Sequence, residues 1–248
     1  RSQICDRIAG AAPDSAGALS KPAGHDLPDG LGPGSRPDEF EVKGLLRTLG
    51  IQVPPGLRLD PGQTLLPDDL ARQGIQSPWA VKVCSADIRH KTEKQGVILN
   101  VDPDRLEKAL AHIHQTFPGS PVLVEHQLAF CGPEFIIGLV QDPVLGHSVM
   151  VGAGGTLTEI YRDAAFRLAP CSAADAAGMI SELILAPVFE GFRGMTLDKA
   201  ALARIISRVS GLVAHAGTGI SQLDINPIVW HDSQWWALDG MLLFQDSR

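Results

Sequence analysis

The sequence has little positive charge and no long apolar run. Its 28 Asp and Glu residues outnumber 21 Lys and Arg residues, which gives a formal net charge of −7 over 248 residues. This balance argues against a general surface for nucleic acid or anionic membranes, so any basic site must be local. We find no segment long enough to span a bilayer and no signal segment at the start of the chain.

Cysteine is scarce as well, and the spacing of the cysteines does not indicate a metal site. The four cysteines Cys5, Cys84, Cys131 and Cys171 form no CxxC pair and no ligand cluster. This usage is typical of reduced thiols in a cytoplasmic protein. The chain begins with Arg1 instead of methionine, which indicates a processed chain or part of a longer polypeptide.

What is present is a mixture of helical and strand patterns without repeats, which predicts an α+β (α/β two-lobed) fold. Residues 1–37 are rich in Gly, Pro, Ser and Ala and predict a flexible linker or tail. Residues 38–248 predict the folded domain. Its first helix is expected to begin with a capping box of Asp38 and Glu41.

The stretch AVKVCSADIRHKTEKQGV organises the rest of the chain. Lys82 lies in an otherwise apolar strand, where a buried ammonium group needs a partner. A polar loop with Arg89, Lys91 and Gly96 follows, and such a loop can present cations and N–H groups to a polyphosphate. The alternative is a lysine that reaches to solvent beside a solvated loop.

The same loop contains His90, between Arg89 and Lys91. Two cationic neighbours disfavour protonation of the imidazole, which leaves a neutral ring able to act as a nucleophile. The alternative is a loop histidine without a chemical role.

A carboxylate-bearing hairpin ends the chain. If Trp230 pairs with Trp235, Asn226 lies opposite Asp239, and Asp224 shares their face of the sheet. A few oxygen ligands of this kind suit Mg²⁺, which completes its shell with water and substrate phosphates. The alternative is the polar, solvent-facing side of an edge hairpin.

Two further acids, Glu125 and Glu134, each flank an apolar strand. The residue pattern alone favours their interpretation as solvated charges at strand edges.

Taken in order, these segments resemble the ATP-grasp domain of NDP-forming acyl-CoA synthetases, of which the ADP-forming acetate–CoA ligases are the best-known members. The similarity to the succinyl-CoA synthetase β subunit is more distant. The resemblance covers Asp38 to about Phe244. It is carried by EVKGLLRTLGIQVP, AVKVCSADIRHKTEKQGV, VLVEHQL, PEFIIGLVQDPVLGHSVMVGAGG, YRDAAFRLAP, QLDINPIVW and ALDG.

The resemblance implies a nucleotide site between a small lobe (about 58–130) and a large lobe (about 38–57 plus 131–248). It implies a role for each of nine residues. The implied nucleotide-binding residues are Lys82, Arg89, Lys91, Gly96, Glu125 and Glu134, with His90 as phosphoryl acceptor and Asn226 and Asp239 as Mg²⁺ ligands. Gln95 departs from the family, which usually has a second glycine there, and predicts a stiffer loop.

The implied reaction is acyl-CoA + ADP + phosphate ⇌ acid + CoA + ATP, through a phosphohistidine relay. Mg²⁺ and ATP or ADP are the expected cofactor and nucleotide. A CoA-binding, ligase-like (α-type) domain or subunit is the expected partner, in an oligomer without nucleic acid or membrane. Two alternatives remain: a non-catalytic ATP-grasp-like regulatory domain of a lysine acetyltransferase, and a carboxylate–amine ligase.

Overall fold

The computed structural model describes residues 24, 26–88, 91, 94–155, 162–215 and 217–245. Within these ranges there are five α-helices and ten strands, and the strands form two antiparallel sheets. The helices are α1 (Glu39–Thr48), α2 (Pro67–Arg72), α3 (Leu106–Thr116), α4 (Ala173–Ser181) and α5 (Lys199–Gly211). The strands are β1 (Gly56–Leu59), β2 (Trp79–Val83), β3 (Val97–Val101), β4 (Val122–His126), β5 (Glu134–Asp142), β6 (Gly146–Ala153), β7 (Ala164–Leu168), β8 (Ile220–His231), β9 (Gln234–Ala237) and β10 (Gly240–Phe244).

The smaller sheet has the strand order β1-β4-β2-β3. All five residues of β2 are buried, as expected for an inner strand that reads WAVKV. Helix α3 covers this sheet with a stripe of Leu106, Ala109, Leu110 and Ile113 at helical spacing. The result is a separate apolar core on the face of β2 that carries Val81 and Val83, and Lys82, which alternates with them, lies on the opposite face.

The larger sheet has the order β10-β8-β5-β6-β7, with β9 paired to β8. Helices α1, α4 and α5 contribute to its apolar core. The two sheets and their helices confirm the predicted α+β class. No helix in the described ranges combines the length and apolar character needed to cross a bilayer.

The local sequence predicts the starts of α1 and α4 correctly, whereas Asp102 followed by Pro103, a pattern typical of a helix start, does not cap α3. Asp38 caps α1 and Ser172 caps α4, each in a reciprocal capping box. Asp102 makes no side-chain cap, because Pro103–Arg105 forms a 3₁₀ turn before α3 begins at Leu106. Within the stretch expected to be a linker, Leu27 and Leu31 pack against the larger core.

The terminal hairpin has the register expected from its sequence. Trp230 pairs with Trp235, and Ile225 pairs with Gly240, so the same alignment continues through the gap between β9 and β10. At that gap the Leu238 amide donates to the Pro227 carbonyl, 2.9 Å away. Because Pro227 has no N–H to donate in return, the Leu238 carbonyl can accept from another group.

Candidate nucleotide site

A cavity of about 410 Å³ opens where the two sheets face each other. One wall is the loop after β2, which contributes Lys91, and the other is formed by β8 and β10. Asp224, Asn226 and Asp239 line the second wall, and Glu39 at the start of α1 also lines the cavity. The basic loop and the carboxylate hairpin, which are far apart in the chain, therefore face one space.

Beside this cavity lies a set of six charged side chains, four of them buried, which we call the charge cluster. Its members are Glu39, Lys43, Lys82, Lys91, Glu125 and Asp239. Three ammonium groups and three carboxylates balance in charge, which is the condition under which ions are tolerated in a protein interior.

Lys82 is 6% exposed and all three of its ammonium hydrogens have an acceptor within reach. Its Nζ lies 2.9 Å from Glu39 Oε1, 2.8 Å from Glu125 Oε1 and 2.8 Å from the Leu238 carbonyl oxygen. Burial alone would lower the pKa of Lys82, but the carboxylates of Glu125 and Glu39 raise it well above its ordinary value. Lys82 is therefore charged, and it joins the smaller sheet to the terminal hairpin.

The sequence pattern of Glu125 favoured a solvated charge at a strand edge, but the structure shows a buried side chain. It is 2% exposed near the end of β4, an inner strand of the smaller sheet, and accepts from Lys43 at 2.5 Å as well as from Lys82. The sequence interpretation was wrong because it did not include α1, which covers this end of β4 with the Lys43 side chain.

Lys91 and Asp239 form the part of the cluster that faces the cavity. Lys91 Nζ lies 2.6 Å from Glu39 Oε2 and 3.5 Å from Asp239 Oδ1. Burial and the charge of Glu39 raise the pKa of Asp239, whereas Lys82 and Lys91 lower it, and the net shift is upward. A cation that approaches this carboxylate would thus relieve an unfavourable negative charge.

Asn226 lies beside Asp239 through the backbone, because its amide donates to the Asp239 carbonyl at 3.2 Å. Asp224 lies two residues before Asn226, and burial raises its pKa. Within the described ranges, no group of three or more His, Cys, Asp or Glu residues is arranged to hold a metal by itself. The oxygen donors at the cavity fit Mg²⁺, which takes few protein ligands when phosphates complete its shell.

The loop around Gly96 is tightly packed. A Cβ at position 96 would lie 2.7 Å from Val83 Cγ1 and 3.1 Å from the Lys91 carbonyl oxygen. The Gly96 amide donates to that carbonyl at 2.7 Å, which fixes the backbone of Lys91 next to β2. Gln95 has φ of +58°, a left-handed conformation that glycine adopts without strain.

Three predicted site residues remain: Arg89, His90 and Glu134. Arg89 and His90 lie outside the described residues, so their positions stay predictions. Glu134 begins β5 on the larger sheet, where its Cβ lies beside Gly154 and its carbonyl accepts from the Gly154 amide.

The sequence interpretation missed Glu39 and Lys43. Both are buried, and the Lys43 ammonium lies 2.7 Å from Glu39 Oε1. A signal for them exists: an acid and a base four residues apart lie on one side of α1, next to its apolar face. Opposite charges at this spacing beside an apolar stripe indicate an internal ion pair.

Comparison with known proteins identifies the family and the fold of this chain. The profile of the ATP-grasp domain family matches residues 34–243. The β subunit of acetate–CoA ligase (ADP-forming) II from Pyrococcus furiosus is 34% identical over 199 residues, which are 77% of this chain and 83% of that protein. Acetate–CoA ligase (ADP-forming) I from Archaeoglobus fulgidus is 32% identical over 212 residues, 82% of this chain but 30% of that longer protein.

A solved structure shares the fold. It is that of the dinucleotide-forming acetyl-coenzyme A synthetase 1 of Candidatus Korarchaeum cryptofilum with coenzyme A and Mg-AMPPCP, its phosphohistidine segment pointing towards the nucleotide binding site. It matches with a TM-score of 0.67 and 30% identity over 84% of this chain and 92% of that one. The chain described here therefore has the ATP-grasp fold and belongs to the ATP-grasp domain family, on the branch of the ADP-forming acetate–CoA ligase β subunits.

Proposed function

We propose that this chain binds Mg·ATP or Mg·ADP in the cavity between its sheets and is the nucleotide-binding subunit or segment of an NDP-forming acyl-CoA synthetase. One observation carries the proposal: Lys91 of the basic loop and Asp239 of the terminal hairpin approach each other to 3.5 Å at the cavity wall. Cations for a polyphosphate and oxygen ligands for its metal are thus available in one space.

In this proposal residues 38–248 form the nucleotide-binding domain, and each side of the cavity has its own task. Lys82, Lys91 and Arg89 neutralise and orient the phosphates, and the backbone at Gly96 holds the loop close to them. Glu125 fixes Lys82, and Glu134 lies on the nucleotide side of the larger sheet. Asn226 and Asp239 would hold Mg²⁺, which when bound neutralises charge on the phosphates.

His90 takes the phosphoryl group. The lone pair of an unprotonated ring nitrogen forms the N–P bond while the bond from the γ-phosphorus to the β,γ-bridging oxygen breaks, and ADP leaves with that electron pair. The phosphorylated loop then passes the group to a CoA-binding, ligase-like partner domain or subunit in a cytoplasmic oligomer. The phosphohistidine segment reported for the Korarchaeum synthetase supports this step.

The first test is nucleotide binding by the 248-residue chain. Calorimetry with Mg·ATP should give saturable binding at one site, and addition of acyl-CoA, ADP and phosphate should give no turnover without a partner domain. Absence of nucleotide binding would overturn the proposal, and acyl-CoA turnover by the chain alone would contradict the need for a partner.

The second test separates an enzyme from a binding module. Incubation with γ-³²P-labelled ATP should give acid-labile, base-stable labelling of the protein, which His90→Ala abolishes. His112→Ala, at an exposed position of α3, serves as the matched control and should label as the unmodified chain does. Labelling that survives His90→Ala would remove His90 from the mechanism, and binding without any labelling would favour the regulatory-domain alternative.

A further inference from the structure

Glu39 contacts more members of the charge cluster than any proposed ligand of the nucleotide does. Its carboxylate accepts from Lys43 at 2.7 Å and Lys82 at 2.9 Å through Oε1, and from Lys91 at 2.6 Å through Oε2. The side chain has no solvent exposure. The three lysines hold the pKa of Glu39 well below its ordinary value, although burial opposes them, so the carboxylate is charged.

This arrangement places two like charges next to each other. Lys82 and Lys91 come from a strand and from the loop after it, and each lies within 3 Å of a different oxygen of the same carboxylate. Two ammonium groups in a poorly solvated place repel each other unless an anion lies between them. Glu39 is that anion, and its helix is anchored by the Asp38–Glu41 capping box.

A buried carboxylate beside a phosphate site has two opposite possible effects. Through its charge it repels an incoming polyphosphate and weakens binding. Through its contacts it holds the lysines where a polyphosphate needs them, so less is lost on ordering them when the ligand binds. Lys91 and Glu39 both line the cavity, which favours the second effect.

We propose that Glu39 is a positioning residue, which holds the Lys82 and Lys91 ammonium groups as a preformed pair for the phosphates of the nucleotide. The inference rests on the proposed function, because it assumes that the cavity takes a nucleoside polyphosphate. Glu39 itself does not touch the nucleotide in this account.

The test compares Glu39→Gln with Glu41→Gln by calorimetry of ATP and of adenosine. Glu41 lies one half-turn further on the same helix, is exposed and accepts from the Asp38 amide instead of from a lysine, a capping contact that glutamine can also make. Glu39→Gln should weaken ATP binding roughly 10- to 100-fold, the loss expected for charge-assisted hydrogen bonds. Its adenosine binding, which involves no phosphate, should stay within twofold of the unmodified chain, and Glu41→Gln should change neither.

Circular dichroism shows whether Glu39→Gln folds, and Glu39→Asp decides the question if it does not. Aspartate keeps the charge but is one methylene shorter, so it cannot retain all three contacts, and ATP binding should still weaken by roughly three- to tenfold. ATP affinity within twofold of the unmodified chain, tighter ATP binding, or an equal loss for ATP and adenosine would each overturn the proposal. Failure of the unmodified chain to bind ATP would instead overturn the proposed function and this inference with it.

Discussion

Helix α1 has two faces that are stabilised in different ways. One face inserts Val42, Leu45, Leu46 and Leu49 into the larger apolar core. The other directs Glu39 and Lys43 into the charge cluster, where Lys43 is 1% exposed. The apolar face gains free energy in proportion to buried area, whereas the charged face is tolerated only while each ion keeps its partners. The apolar face should therefore accept changes of shape, and the charged face should not accept loss of a single group.

The largest effect is expected from Lys43→Met. This change leaves Glu39 and Glu125 to share the remaining lysines in a buried place, and loss of one partner of a buried pair costs about 3–5 kcal/mol. Urea unfolding should show this loss as a lower midpoint with an unchanged slope.

Lys108→Met is the matched control, because Lys108 is exposed on α3 and should change stability by less than about 0.5 kcal/mol. Equal midpoints for the two variants would mean that the buried ion pair contributes nothing that methionine cannot replace.

The apolar face is tested at Leu46, one turn away from Lys43. Leu46→Ala should cost about 2–5 kcal/mol, because it removes contacts and leaves a cavity. Leu46→Met keeps the volume and should cost less than about 1.5 kcal/mol. A loss for Leu46→Met as large as that for Leu46→Ala would remove the distinction between the two faces.

A smaller effect on stability is expected from Lys91→Met at the cavity. Lys91 is the most exposed lysine of the charge cluster, and Glu39 keeps two other lysines when it is removed. We expect about 1–3 kcal/mol of lost stability, because a hydrogen bond to a charged group is removed, and a roughly 10- to 100-fold weaker ATP affinity, since a charged hydrogen-bond donor to phosphate is lost. Thermal unfolding and calorimetry on the same sample separate these effects, and unchanged ATP affinity would exclude Lys91 from the site.

The smallest effect is expected from chemical modification of Cys84, a buried thiol next to the start of α1 whose reactivity reports whether this region opens. Burial, followed by the charge of Asp38, raises the pKa of Cys84 to about 12. At pH 8 only about one Cys84 thiol in 10⁴ is then ionised, and the thiolate is the form that reacts. Iodoacetamide should modify the exposed Cys131 and leave Cys84 unmodified, as mapped by mass spectrometry of peptides. Rapid modification of Cys84 in the folded chain would mean that the charged face of α1 opens easily.

Much of the fold could be predicted because its signals are local. The capping boxes at Asp38 and Ser172 and the stripe of α3 each need only neighbouring residues. The Trp230–Trp235 pairing follows from a short connection and a period of two, and it places Asn226 and Asp239 together.

The charge cluster could be predicted only in part. A lysine in an apolar strand predicts that a carboxylate partner exists, but the position of that partner depends on how the helices and strands pack. Lys43 and Glu125 are 82 residues apart, and no periodicity within either segment indicates the contact. For the same reason Glu125 was assigned to solvent, since its strand alone does not show that a helix lies across it.

The pairing of Pro227 with Leu238 has a consequence for how the two halves of the molecule stay aligned. Any other amino acid at position 227 would bring an amide hydrogen that could reach the Leu238 oxygen, in competition with the ammonium group of Lys82. Because proline has no N–H, the Leu238 carbonyl oxygen receives no backbone hydrogen bond from position 227. The ammonium group of Lys82, from the smaller sheet, therefore takes the place of a backbone donor in the terminal hairpin, and this contact holds the two sheets in register.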